Sequence, residues 1–274
     1  MIKKLNISEN LNKKVLSLLT IYSKEYSNKN QNKGISHLNI VLVGPTGVGK
    51  STLINSILEL PKNKEAKTQT TDPCTMGDPC TMGEPTFYES NKIPFLRLAD
   101  SRGIELGKYG VEEVVKSTEN FVNSQIKLQD PDKFVHCIWY CVTMARFQEV
   151  EINSLKRLAA LYDNDKLPII VVYTQAFNPE FYNAIKKKVD NLGYNLGYVV
   201  VVAKDMEIEN EDDDEESKNK IIVPKKGLQK LKKLSIEKAK GAVSSACYSA
   251  IKKNIREGVS EKLKKTTEKN KKIS

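Results

Sequence analysis

The chain has 274 residues, 39% of them hydrophobic and 28% charged, with a formal net charge of +10. This length and composition suit one well-cored domain of about 200 residues with extensions, and they exclude a membrane-spanning chain, because no apolar run approaches the roughly 18 residues of a span. The N-terminus lacks the apolar core and cleavage pattern of a signal peptide, and the five cysteines show no paired framework spacing, so a reducing, cytoplasmic setting is expected.

The charge is unevenly placed. Asp205 to Ser217 contains nine acids and no base, whereas Lys218 to Ser274 contains eighteen bases against four acids, a net of +14. The high isoelectric point therefore describes the C-terminal segment and not the domain before it.

In chain order, residues 1–36 read as an N-terminal amphipathic helix and a linker. Leu11, Val15, Leu18, Leu19 and Tyr22 recur at helical spacing after a possible Ser8 N-cap, and Ser23 to Ser36 is polar. A buried-strand run from Leu38 to Val43 follows and opens into Gly44-Pro45-Thr46-Gly47-Val48-Gly49-Lys50-Ser51-Thr52, a G-x-x-x-x-G-K-S loop. Backbone N–H groups in such a loop, capping a helix N-terminus, hold phosphate oxygens, and glycines let the backbone approach them without a Cβ in the way. Lys50 can reach β- and γ-phosphate oxygens as a point charge, and the Ser51 hydroxyl is placed to ligate Mg²⁺. The helix continues through Leu53, Ile54, Ile57 and Leu58, so strand, loop and helix together predict a nucleoside-phosphate site.

Leu60 to Pro85 has no hydrophobic period and holds the hexapeptide Asp-Pro-Cys-Thr-Met-Gly twice, from Asp72 and from Asp78, which reads as a loop expansion. Thr86–Glu89 and Ile93–Ala99 read as a hairpin, the second strand ending at Asp100. Helices over 110–126, 149–162 and 179–192 then alternate with strands over 134–142, 167–174 and 197–203. Strict alternation predicts an α/β fold in three layers, a mostly parallel sheet of about six strands with one antiparallel hairpin and its ligand at the carboxyl ends of the strands. His136, Cys137 and Cys141 sit in one apolar run without a second ligand pair, so core thiols are expected there and not zinc. An acidic insertion over 205–217 precedes a closing helix over 227–254, whose small residues from Ala239 to Ile251 can lie close to the sheet. A Lys-rich tail over 258–274 is expected to be solvated.

The order of phosphate loop, threonine-containing loop, hairpin and Asp100-Ser101-Arg102-Gly103 resembles the P-loop GTPases of the translation-factor-related class, in their Era-like ribosome-binding and septin or immunity-associated branches. The resemblance runs from Leu38 to about Ile251 and implies a G domain over residues 37–257 that binds GTP and GDP with Mg²⁺. It implies that Asp100 holds the metal through water, that the Gly103 amide senses the γ-phosphate, and that a switch threonine coordinates Mg²⁺ in the triphosphate state. Thr81, nineteen residues before Asp100, is the choice for that role, with Thr75 and Thr86 as alternatives. The base-recognition stretch reads Thr174-Gln175-Ala176-Phe177, without the guanine-specifying carboxylate of the family's [NT]-K-x-D. Ala203-Lys204 resembles the family's S-A-K loop and keeps GTP ahead of ATP. Ile104 replaces the glutamine that orients the attacking water in Ras-like enzymes, so slow intrinsic turnover is expected, with Arg102 or Arg146 as candidate cations for the transition state. Two further readings are a non-hydrolysing interaction module self-associating as a homodimer through the switch face, and a GTPase binding ribosomal RNA or an anionic membrane surface through its basic C-terminal segment.

Overall fold

The structure, a computed structural model, describes residues 36–66, 86–100, 106–128, 130–143, 147–162, 167–175, 179–209 and 220–239. The predicted N-terminal helix, the repeat-bearing loop with Thr75 and Thr81, the acids over 210–219 and the Lys-rich tail lie outside these residues.

Six strands form the main sheet: β1 (Leu38–Val43), β2 (Thr86–Tyr88), β3 (Leu96–Asp100), β4 (Cys137–Val142), β5 (Ile169–Tyr173) and β6 (Gly197–Val200), in the order β2-β3-β1-β4-β5-β6. β2 pairs antiparallel with β3, and every other neighbour is parallel. The helices are α1 (Lys50–Leu58), α2 (Leu106–Lys127), α3 (Glu149–Leu161), α4 (Pro179–Asp190) and α5, helical over 228–239. This is the three-layer α/β arrangement expected from the alternation of elements.

Side chains alternate across the sheet with the period of the strands and divide the core in two. Leu38, Ile40 and Leu42 of β1, with Cys137, Trp139 and Cys141 of β4, face α1 and α5. Val41 and Val43, with Ile138, Tyr140 and Val142, face α2, α3 and α4. Both faces of β1, β4 and β5 are buried, which is why these strands read as continuous apolar runs. The two thiols of β4 are therefore packing groups four residues apart on one face, and His136 accepts from the Asn39 amide through Nδ1 at 3.0 Å.

β4 and β5 begin at Cys137 and Ile169, later than the expected Phe134 and Leu167, and α4 ends at Asp190, ahead of Leu192; three further boundaries also differ. α2 begins at Leu106, ahead of Gly110, because the stripe Val115, Phe121 and Val122 commits the helix to the core and outweighs the cost of Gly107 and Gly110 near its start. The hairpin connection is longer than Ser90-Asn91-Lys92, with Ile93 donating to Ser90 O and Leu96 to Ile93 O while Ile93 and Phe95 are buried. β6 ends at Val200 because Val202 leaves the sheet to exchange two hydrogen bonds with Lys226. The acidic segment is bracketed by two further strands, β7 (Met206–Glu209) and β8 (Lys220–Val223), paired antiparallel. The alternation Met206-Glu207-Ile208-Glu209 was the local signal for the first of them.

The start of β1 is tied to the loop before β4 by one carboxylate. Asp132 accepts from Ser36 N at 2.6 Å, Ser36 Oγ at 2.8 Å and His37 N at 2.8 Å, contacts His37 Nδ1 at 2.7 Å, and pairs with Arg97 at 3.2 Å. Burial pushes the Asp132 carboxyl up, but the hydrogen bonds from His37 and Ser36 outweigh it and hold the group below the ordinary carboxylate value. A depressed folded-state pKa contributes stability that is present above the unfolded value and lost as pH falls through the folded one. In urea unfolding, Asp132→Asn should therefore lower the midpoint at pH 7, and the gap to wild type should close as pH falls below about 4. A gap of equal size at both pH values would contradict this clamp.

Candidate functional site

The loop between β1 and α1 lies at the carboxyl end of β1, between β3 and β4, where the chain turns to opposite sides of the sheet. Gly44 takes φ 142°, and a Cβ there would fall 2.3 Å from the Cys141 carbonyl oxygen, so no other residue lets β1 leave the sheet this close to β4. Gly49 caps α1 in the left-handed region, φ 86° and ψ 23°, and its carbonyl accepts the first helical bond from Leu53 N at 2.9 Å. Between them Pro45 and Val48 are buried, Thr46 is half-buried and Gly47, at φ 81°, is exposed. The loop thus presents a helix N-terminus with its first backbone N–H groups unspent, the arrangement that attracts anions.

Lys50, Ser51 and Thr52 form the first turn of α1. The Lys50 ammonium curls back over the loop and donates to Gly44 O at 2.8 Å and Pro45 O at 2.9 Å. Burial holds its pKa below the usual lysine value, opposed by the charge of nearby Asp100. Ser51 Oγ donates to Asp100 Oδ2 at 2.9 Å, joining the start of α1 to the end of β3. Asp100 is only 4% exposed, and its second oxygen, Oδ1, is buried without a hydrogen-bond partner. A buried carboxylate oxygen left unpaired is costly, and a cation or its water satisfies it. A hydroxyl and a carboxylate are hard oxygen donors and fit Mg²⁺, which keeps several waters and takes only one or two protein carboxylates beside phosphates. Among the described residues no group of three or more His, Cys, Asp or Glu is arranged to hold a metal.

Thr174 follows β5 and is 3% exposed. Its hydroxyl donates to Val48 O at 2.6 Å and lies 3.1 Å from Val142 O, while its amide donates to Val142 O at 2.9 Å. Thr174 therefore holds the phosphate loop from behind, a role its spacing in the sequence did not reveal. Gln175, beside it, takes φ 54° and is exposed. Ala203 is half-buried and Lys204 exposed, in the turn after Val202. Burial pushes the Cys141 thiol, beneath the loop, up to about 12, so it stays protonated.

Of the residues singled out from the sequence, the structure brings the loop Gly44–Gly49, Lys50, Ser51, Thr52, Asp100 and Thr174 together. Thr81, Gly103, Arg102, Ile104 and Arg146 lie outside the described residues. Thr86 opens β2 directly opposite Asp100. Asn55 was missed: its amide pairs with both backbone groups of Ala66, accepting from N at 2.7 Å and donating to O at 3.1 Å. Its place four residues after Ser51, one turn along the same helix, was the available signal.

Replacing Thr174 by Val keeps the volume but strands the Val48 carbonyl. The expected cost is about 1–3 kcal/mol in urea unfolding, with weaker nucleotide binding measured on the same preparation. An unchanged midpoint would show that the loop is held by other means.

A protein-family profile described as 50S ribosome-binding GTPase matches residues 39–175, half of the chain. No curated protein sequence matches. Similar solved structures include the septin GTPase domain from Chlamydomonas reinhardtii, at 15% identity over 80% of this chain and 98% of that one, with TM-score 0.48. Toc33 from Arabidopsis thaliana in complex with Mg²⁺ and GMPPNP has 13% identity over 82% of this chain and 92% of that one, with TM-score 0.46. The family match spans the phosphate loop, Asp100 and Thr174, and on it the chain belongs to the family of GTPases described as 50S ribosome-binding.

Proposed function

We propose that the protein binds GTP with Mg²⁺, hydrolyses it slowly to GDP, and uses the difference between the two states to control a partner. The observation that carries this reading is the pairing of Ser51 Oγ with Asp100 Oδ2, beside an Asp100 oxygen without a partner; Ser51 is next in sequence to Lys50, whose ammonium lies over the loop carbonyls. Lys50 exchanges its two loop carbonyls for phosphate oxygens, Ser51 and Asp100 hold the metal and its water, and Thr81 completes the coordination in the triphosphate state. Mg²⁺, when bound there, neutralises charge on the β- and γ-phosphates. The Gly103 amide reports the γ-phosphate, and Thr174, Gln175, Ala203 and Lys204 border the base. Slow turnover follows from Ile104, a side chain that can neither donate to nor accept from an attacking water.

In this reading residues 37–257 form the G domain, and the protein works in the cytoplasm. No helix among the described residues is long and apolar enough to cross a membrane. Self-association through the switch face is the natural source of a missing catalytic group, since the chain lacks the usual glutamine.

The test is to identify by mass spectrometry what co-purifies with the protein and then to titrate GDP, GTP and ATP analogues with Mg²⁺. Guanine nucleotide is expected in the protein as isolated, and selective ATP binding would overturn the base assignment. Lys50→Ala should weaken GTP binding roughly 10- to 150-fold, the equivalent of one hydrogen bond to a charged group. Asp100→Asn should reduce the gain in GTP affinity that Mg²⁺ brings. Single-turnover hydrolysis should rise with protein concentration, and a flat, near-zero rate across the range would leave a nucleotide-binding interaction module in place of an enzyme.

A further inference from the structure

We propose that Asn55 is a positioning residue for the triphosphate state: its amide roots the threonine-bearing segment 67–85 on α1, one turn from Ser51, and so sets how strongly Mg²⁺ favours GTP. The inference rests on the reading of the protein as a Mg²⁺-dependent GTP switch, and it assigns the residue that fixes where that segment starts.

The chain leaves α1 and comes straight back to it. Glu59, at φ 51° and ψ 49°, turns the backbone, and Leu60 N donates to Asn55 O at 3.2 Å. One turn of 3₁₀ helix at Lys62–Lys64 follows, and Pro61 to Glu65 are all exposed. Ala66 is then 1% exposed, in the core on the α1 face of the sheet. There the Asn55 side chain takes both of its backbone groups, Oδ1 accepting from Ala66 N at 2.7 Å and Nδ2 donating to Ala66 O at 3.1 Å.

The two anchors of Ala66 do different things. Its methyl is small, so burial fixes the depth of the returning chain and leaves its direction free. The Asn55 amide fixes the direction, because two hydrogen bonds from one planar group to the N–H and C=O of one residue hold both adjoining peptides in orientation. An exposed return with no other buried residue between Pro61 and Glu65 supplies no substitute.

Ser51 and Asn55 are four residues apart on α1 and share one side of it, with Cβ atoms about 6 Å from each other. Ser51 meets Asp100, and Thr86, where the chain re-enters the sheet, stands opposite Asp100. Both ends of the segment are thus referred to the same hydroxyl and carboxylate, the pair assigned to the metal. A threonine carried between them meets Mg²⁺ there only when both ends aim it correctly. Without Asn55 the stretch lacking a hydrogen-bonded root on α1 grows from nineteen residues, 67–85, to twenty-five, 61–85. Added length alone weakens the meeting of its ends only about 1.5-fold, so lost direction is the larger effect. Because coupling is reciprocal, GTP with Mg²⁺ must in turn favour the Asn55–Ala66 contact by the factor with which that contact favours GTP.

The test compares GMPPNP with GDP by isothermal titration, with and without Mg²⁺. Asn55→Ala should cut the gain in GMPPNP affinity that Mg²⁺ brings by at least about fivefold, while the gain for GDP stays within about twofold of wild type. Asn55→Asp, which keeps the volume and loses the donor to Ala66 O, should shift the gain in the same direction. A lowered urea midpoint with an unchanged GMPPNP gain, or equal losses for the two nucleotides, would reduce Asn55 to a structural residue and overturn the proposal. A second measurement uses the unsubstituted protein and does not depend on how the variants fold. Hydrogen exchange of the Ala66 amide should slow at least about fivefold when GMPPNP replaces GDP in the presence of Mg²⁺. Equal exchange in the two states would also overturn it. Wild-type protein that gains no GMPPNP affinity from Mg²⁺ would remove the switch reading itself, before any substitution is compared.

Discussion

The site depends on the phosphate loop being held from behind by Thr174. That loop must turn sharply out of the central strand and still present rigid backbone donors, and glycine alone makes the turn possible without making it stiff. Stiffness comes from outside the loop: the Thr174 hydroxyl on Val48 O, and the close seat of Gly44 on the Cys141 carbonyl. Both contacts come from strands on the far side of β1, so the loop is only as firm as the parallel registry of β1, β4 and β5. Val48, 0% exposed, is the side chain that this arrangement buries.

The same registry delivers the acid. Leu42 pairs with Asp100, which brings the carboxylate level with the base of the loop and within hydrogen-bond distance of Ser51. Burying Asp100 with one oxygen satisfied and the other left over costs free energy in the protein alone, and that cost is the mark of a site prepared for a charged ligand. Lys50 shows the complementary preparation. Its ammonium is desolvated over two loop carbonyls, contacts that phosphate oxygens can replace without moving the backbone.

The two ends of the sheet answer different demands. At the carboxyl end, loops converge on the phosphate site and backbone groups are kept for ligand. At the amino end, the Asp132 cluster, the Asn39 amide on His136 and the Asn39 side-chain Nδ2 on Phe134 O fix where the chain enters and leaves. The short α1 links the two, since its N-terminus serves the site while Leu53, Ile54, Ile57 and Leu58 pack on the strand face between them.

Much of this was legible from the residues. Three continuous apolar runs announced β1, β4 and β5, because strands buried on both faces have no polar side to show. The strand, Gly-rich loop and amphipathic helix around Lys50 were a local signal, since loop, cap and phosphate contacts lie within a few residues of one another. Asp100 was legible as the end of a strand. Boundaries such as the start of α2 and the end of β6 were not, because packing and a long-range bridge override local propensity there. Chain order, apolar period and loop chemistry therefore determined the fold class and the nucleotide loop by themselves. Tertiary structure alone decided that Thr174 supports the loop, that Asp100 reaches Ser51 and that Asn55 holds Ala66. These pairs are separated by 126, 49 and 11 residues along the chain, and only strand registry and helix direction bring them within a hydrogen bond.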